Sequence, residues 1–104
     1  MADDDVWKAL ADPTRREILD LLRGGPRRTS DIVAAFGHLS RFGVMKHIDV
    51  LRKANLVIAR EEGREIINTL NAVPIRRIYQ RWVSRFEGAW ANVLLEVKDR
   101  AEHK

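Results

Sequence analysis

A chain of 104 residues with 45% hydrophobic and 33% charged residues has the length of one domain and the composition of a globular one. No apolar run approaches the roughly 18 residues that a membrane span requires. The start, MADDDVWKAL, is acidic where an export signal would be basic, and there are no cysteines, so disulfides, thiolate metal sites and cysteine nucleophiles drop out and a cytoplasmic protein is expected. Net charge is +4, and its excess sits in the middle: residues 1–22 hold three Lys and Arg against six Asp and Glu, 23–64 nine against four, and 65–104 seven against five. A basic middle suits an anionic polymer, or is a solvated face.

Residues 3–11 have the spacing of a short helix, with Val6, Trp7 and Leu10 on one side and acidic residues in the first turn, where the helix dipole favours them. Asp12 stops and restarts the chain as an N-cap, with Pro13 at the first helical position and Ile18, Leu21 and Leu22 as the apolar face. Gly24, Gly25 and Pro26 end that helix. Thr29 or Ser30 caps a third, TSDIVAAF, which stops at Gly37, and Ser40 caps a fourth. Two short helices joined by a tight turn have the form of a helix-turn-helix. After Leu56 the runs LVIARE and REIINTL, around Glu62 and Gly63, predict a hairpin. Pro74 opens a last helix with Ile78, Tyr79, Trp82, Phe86, Trp90 and Val93 on one side. The expected fold is mainly α with a small β-hairpin wing, in the order α-α-α-α-β-β-α. One winged helix-turn-helix domain covers 1–104, and 74–101 form a long dimerisation helix.

The sequence resembles the ArsR/SmtB family of winged-helix repressors over nearly its whole length. LADPTRREILDLL (10–22) is similar to that family's second-helix signature, LSRFGVMKHIDVLRKANLV (39–57) to its recognition helix and first wing strand, and REEGREIINTL (60–70) to its wing. The forms RWVSRFEGAW and HLSRFGVMKH resemble a metal-independent branch. The resemblance implies a homodimer that binds operator DNA and represses, often released by a ligand; which ligand is unknown. The arsenic-sensing cysteine pair of the family matches Arg28 and Ser30 here, and of the zinc-binding Asp and His residues on the last helix only Asp99 and His103 stand, near Glu96 and Glu102. One helical pair at a terminus does not make a metal site, so neither metal nor cofactor is expected. Three scattered histidines, with no serine motif or phosphate loop, give no catalytic constellation, so no enzyme is expected.

With Val44 inward, 100° per residue brings Ile48 and Leu51 to the same side of the fourth helix and turns Phe42, Met45, Lys46 and Asp49 away. Arg41 lies in the first turn, the part of a recognition helix that approaches base edges. Phe42 and Met45 either meet thymine methyls or, for Phe42, pack on a neighbouring helix; Gly43 either permits close approach to the DNA backbone or relieves crowding. Lys46 meets a phosphate or guanine, or is solvated. His47, between the two sides, is structural or contacts phosphate. Asp49 accepts from a cytosine or pairs with Lys53. On the wing, Arg60 and Arg64 reach the minor groove or phosphates, or form a solvated cluster with Glu61 and Glu62. Thr29 and Ser30 hold a phosphate or only cap their helix, with Arg27 and Arg28 adding charge.

Double-stranded DNA through Thr29, Ser30, Ser40, Arg41, Phe42, Met45, Lys46, His47, Arg60 and Arg64 is therefore the expected partner. A second copy is expected through Val6, Trp7, Leu10, Ile78, Trp82, Phe86, Trp90 and Val93, because so long an apolar face exceeds what one short chain buries. A membrane surface is the lesser reading for that aromatic face flanked by Arg76, Arg77, Arg81 and Arg85. The alternative to a DNA-binding regulator is a winged-helix module whose Phe42 and Met45 touch protein.

Overall fold

The computed structural model describes residues 2–86 and Gly88. They fall into two compact units, one ending at Pro74 and one beginning at Ile75. The first unit opens with α1 (Ala2–Leu10), whose first turn carries Asp3, Asp4 and Asp5. Helix α2 (Pro13–Arg23) starts where Asp12 Oδ1 accepts from the backbone N–H groups of Thr14 at 2.8 Å and Arg15 at 3.2 Å. Two arginines of α2 close the end of α1: Arg15 Nε donates to the Ala9 carbonyl at 2.8 Å, its Nη2 to that of Lys8 at 2.9 Å, and Arg16 Nη1 to that of Leu10 at 2.7 Å. Cationic donors thereby meet the last carbonyls of α1, of which that of Lys8 also accepts the Ala11 N–H at 3.2 Å.

Helices α3 (Thr29–Ala35) and α4 (Arg41–Lys53) follow. The α3 N-cap position is held by Arg28, which makes no side-chain cap bond, so the expected cap at Thr29 or Ser30 is displaced by one or two residues. The physical reason is that Thr29 is buried and its hydroxyl is taken up from inside the fold. Helix α4 ends with Asn55 at φ 60°, its N–H bonded to the Arg52 carbonyl and that of Leu56 to the Leu51 carbonyl, each at 3.0 Å. This left-handed close suits Asn, whose short polar side chain tolerates positive φ.

The wing is β2 (Val57–Glu62) paired antiparallel with β3 (Glu65–Leu70), from Val57 opposite Leu70 to Glu62 opposite Glu65. Gly63, at φ +64°, takes the first of the two loop positions, a backbone state that costs a glycine little. The pattern of two strands is extended by a third: β1 (Arg27–Arg28) pairs with β3, giving the order β1-β3-β2. Two residues are too few for a period-two pattern, which is why β1 does not show in the sequence.

The core joins Val6 and Ala9 of α1, Ile18, Leu19 and Leu22 of α2, Ile32 of α3, Val44, Ile48 and Leu51 of α4, and Leu56 and Val57, all nearly solvent-free. On α2, Leu19 takes the inner place expected of Leu21, which is half-buried. Beyond the wing, α5 (Val73–Ile78) begins and runs into a π-helical turn, Tyr79–Val83, where the Ser84 N–H reaches back five residues to the Tyr79 carbonyl. Among the described residues, no helix is long and apolar enough to cross a membrane.

Candidate nucleic-acid interface

Ser40 positions the start of α4: its Oγ accepts from the Gly43 N–H at 3.0 Å. A methyl added at Gly43 would lie 3.2 Å from that oxygen, so the glycine leaves the cap uncrowded. The helix then divides cleanly. Val44, Ile48 and Leu51 are buried, while Arg41, Phe42, Lys46 and Asp49 are exposed and Met45 is half-buried. Phe42 is 70% exposed, with Lys46 Nζ 4.9 Å from its ring centroid, so its packing as core is ruled out. The four-residue spacing and the ring quadrupole together hold the ammonium over the aromatic face. Asp49 pairs at 3.5 Å with Arg52 rather than with Lys53, because the guanidinium, three residues on, is already held beside it.

Arg28, Thr29 and Ser30 from the start of α3, Arg41 and Met45 from α4, and Arg64, Glu65 and Ile66 from the wing line one cleft of about 380 Å³. The sequence-predicted Ser30, Arg41, Met45 and Arg64 thus share a surface. Thr29 contributes differently: its Oγ1 accepts from Asn68 Nδ2 at 2.9 Å inside the protein. Arg28 bonds to Glu65 at 3.0 and 3.3 Å and to Asp31 at 3.2 Å, and these carboxylates, Glu65 before Asp31, raise its pKa above the ordinary guanidinium value. Arg60 turns back along its own strand to Glu62 at 3.0 Å, both groups being exposed. The guanidinium groups of Arg41 and Arg64 carry no hydrogen bond or ion pair among the described residues.

Sequence reasoning passes over the groups that hold this surface together. Asn68, wholly buried on the central strand β3, accepts from Arg52 Nη2 at 2.7 Å and donates to Thr29 Oγ1 and, at 3.3 Å, to the Arg27 carbonyl. One amide therefore joins the last turn of α4, the start of α3, β1 and the wing. The only signal in the sequence is an asparagine inside the apolar run IINTL, where strands disfavour it. Arg15 is the other: its Nη1 stands 3.2 Å from His47 Nδ1. Burial pushes the nearby Asp12 carboxyl up, but the Arg15 N–H, the charge His47 carries when protonated, the Thr14 N–H and the Arg15 guanidinium together hold it below its ordinary value.

Of the residues expected to face a second copy, Val6 is 1% exposed and fills the core of its own unit, which leaves Trp7, 52% exposed, and half-buried Leu10 as what α1 offers. Ile78 is buried, whereas Trp82 and Phe86 are 57% and 63% exposed. Trp90 and Val93 lie outside the described residues, as do Glu96, Asp99, Glu102 and His103. Among the described residues, no three His, Cys, Asp or Glu side chains gather as a metal site would need.

Comparison with known proteins gives the arrangement its context. A model of a helix-turn-helix domain matches residues 10–59. The transcriptional repressor SdpR of Bacillus subtilis is 36% identical over 73 residues, 70% of this chain and 80% of that protein. Among solved structures, an ArsR family transcriptional regulator superposes with a TM-score of 0.76 at 26% identity, over 88% of this chain and 98% of the other. An ArsR-like transcriptional regulator from Rhodococcus sp. RHA1 gives 0.69 at 28% identity, over 94% and 91%.

Proposed function

Because the chain belongs to the ArsR/SmtB family of winged helix-turn-helix transcriptional regulators, and is a DNA-binding protein rather than an enzyme, we propose that it acts in the cytoplasm as a homodimeric repressor on an inverted-repeat operator. The observation that carries this reading is the division of α4. Its apolar stripe is consumed by the core, and the face that remains presents Arg41, Phe42 and Lys46 beside a cleft that also holds Arg64. In this reading Arg41, in the first turn, approaches base edges, and Phe42 and Met45 meet thymine methyls. Ser30, Ser40 and Lys46 meet phosphates, and Arg64 at the wing tip enters the minor groove. Repression is supported by the likeness to SdpR, a transcriptional repressor.

Dimerisation is assigned to Trp7 and Leu10 of α1 and to the helical segment that begins at Val73, because exposed Trp7, Trp82 and Phe86 are large apolar surfaces that a second copy would cover. Two copies of α4 then enter successive major grooves, with half-site centres about 10 bp apart. The test is selection from a random DNA library, followed by affinity measurements across salt and by sedimentation. The expected result is an inverted repeat bound by a dimer, with log K falling about 0.9 per released phosphate contact for each unit of log salt. A monomer on an unrepeated half-site would end the dimeric reading. Failure to enrich any DNA would leave the winged-helix interaction module, with Phe42 and Met45 touching protein.

A further inference from the structure

His47 sits on α4 between the buried stripe and the exposed face, half-buried, with Nδ1 3.2 Å from Arg15 Nη1. Arg15 is not free to turn away. Its Nε and Nη2 are held by the carbonyls of Ala9 and Lys8, and its own backbone N–H by Asp12. A guanidinium has five donors, no acceptor and no accessible neutral form. The contact is therefore a hydrogen bond only if Nδ1 supplies a lone pair, which leaves the single proton of the neutral ring on Nε2. We infer that Arg15 is a positioning residue that locks neutral His47 in its Nε2–H form, so that the recognition helix presents a ring N–H donor to an acceptor atom on DNA. The inference rests on the DNA-binding reading of α4 and assigns one of its contacts a direction: the ring gives a proton and does not take one. The acceptors with that chemistry are a phosphate oxygen or, on a major-groove base edge, guanine N7 or O6, adenine N7 or thymine O4.

The experiment has two parts, both on the full chain. Long-range 15N–1H correlation of histidine-labelled protein without DNA distinguishes a proton-bearing ring nitrogen from one with a lone pair. Neutral His47 is expected as Nε2–H in the wild type, shifting toward a mixture of both forms in Arg15→Met. A wild-type ring protonated at Nδ1 overturns the inference whether or not the chain binds DNA. The second part measures affinity for the selected operator. His47→Ala is expected to lose on the order of tenfold, the range for a single hydrogen bond to DNA. His47→Gln, whose side-chain amide places a donor near the position of Nε2, should recover most of that loss, and His47→Asn, too short to do so, should not. A uniform loss over all sequences identifies a phosphate as acceptor, and a loss of preference at one position identifies a base. Folded His47→Gln binding as weakly as His47→Ala overturns the donor role. Absence of any DNA binding by the wild type, with Nε2–H intact, overturns the functional reading instead.

Discussion

Truncating Asn68 to alanine should be among the most damaging single changes in the winged domain, and the structure sets its size. The side chain is fully buried and makes three hydrogen bonds, at 2.7, 2.9 and 3.3 Å, of which the shortest receives the charged Arg52 guanidinium. A bond to a charged partner contributes about 1.5–3 kcal/mol and each neutral one about 0.5–1.5 kcal/mol, with the 3.3 Å contact at the low end. Arg52 is a quarter exposed and retains Asp49 at 3.5 Å, so solvent offsets part of the charged term. Its buried Nε, however, already lacks a partner, so the guanidinium loses its best remaining bond. The expected cost of Asn68→Ala is about 2–4 kcal/mol. Urea unfolding followed by tryptophan fluorescence, at one fixed protein concentration because association would add to stability, should show a lower midpoint at an unchanged m value. Asn68→Asp keeps the acceptor for Arg52, and the Thr29 hydroxyl can rotate to donate, leaving only the Arg27 carbonyl bereft. That variant should cost about 1 kcal/mol. An alanine variant within about 0.5 kcal/mol of wild type would refute the reasoning, since it would mean that the network contributes no more than an ordinary surface residue.

On the recognition helix, Phe42→Ala should relax choice at one base position by roughly 1 kcal/mol while moving stability by less than about 0.5 kcal/mol, because the ring is 70% exposed; competition binding and a melting curve read the two effects separately. Lys46→Ala should weaken binding to all sequences alike and reduce the slope of log K against log salt by about 0.9, the share of one phosphate. Glu65→Gln removes the carboxylate that holds Arg28 at 3.0 Å, and should raise affinity for random-sequence DNA at low salt by up to about fivefold, as read by fluorescence anisotropy. Asp12→Ala should cost about 1 kcal/mol at neutral pH through loss of the α2 cap. The folded Asp12 pKa is depressed, so its stabilising effect is complete above the unfolded value, near 3.9, and is lost as pH falls through the lower folded value. Acid titration of stability should therefore fall less steeply in the variant than in the wild type.

What could be read from the chain and what could not follow from the range of the interactions. The stripe Val44, Ile48 and Leu51, the caps at Asp12 and Ser40, and the hairpin turned at Gly63 are set by residues within one helical turn or one loop of each other, and they stand as the sequence indicates. The contacts that orient those elements join residues far apart in the chain: Arg15 with His47, Arg52 with Asn68, Asn68 with Thr29, and Arg28 with Glu65. No periodicity encodes such pairs. The same limit explains Thr29, which as a residue type reads as a cap or phosphate ligand and is instead drawn inward by an asparagine on β3.

It also alters the meaning of the basic middle. Nine cations against four acids between residues 23 and 64 suggest a diffuse positive field, yet the folded chain assigns several of them locally. Arg52 goes to Asn68 and Asp49, Arg28 to Asp31 and Glu65, and Arg60 to Glu62. Arg41 and Arg64, distant in sequence, are left without such partners and line a single cleft between the recognition helix and the wing. An unpaired guanidinium offers its full set of donors to an incoming phosphate or base, whereas a paired one must first exchange a carboxylate for it. Three of the nine central cations are so paired, and among the rest Arg41 and Arg64 bring unpaired guanidinium groups together at the start of α4 and the tip of the hairpin, where, on the proposed DNA-binding reading, a groove and its neighbouring backbone would meet the protein.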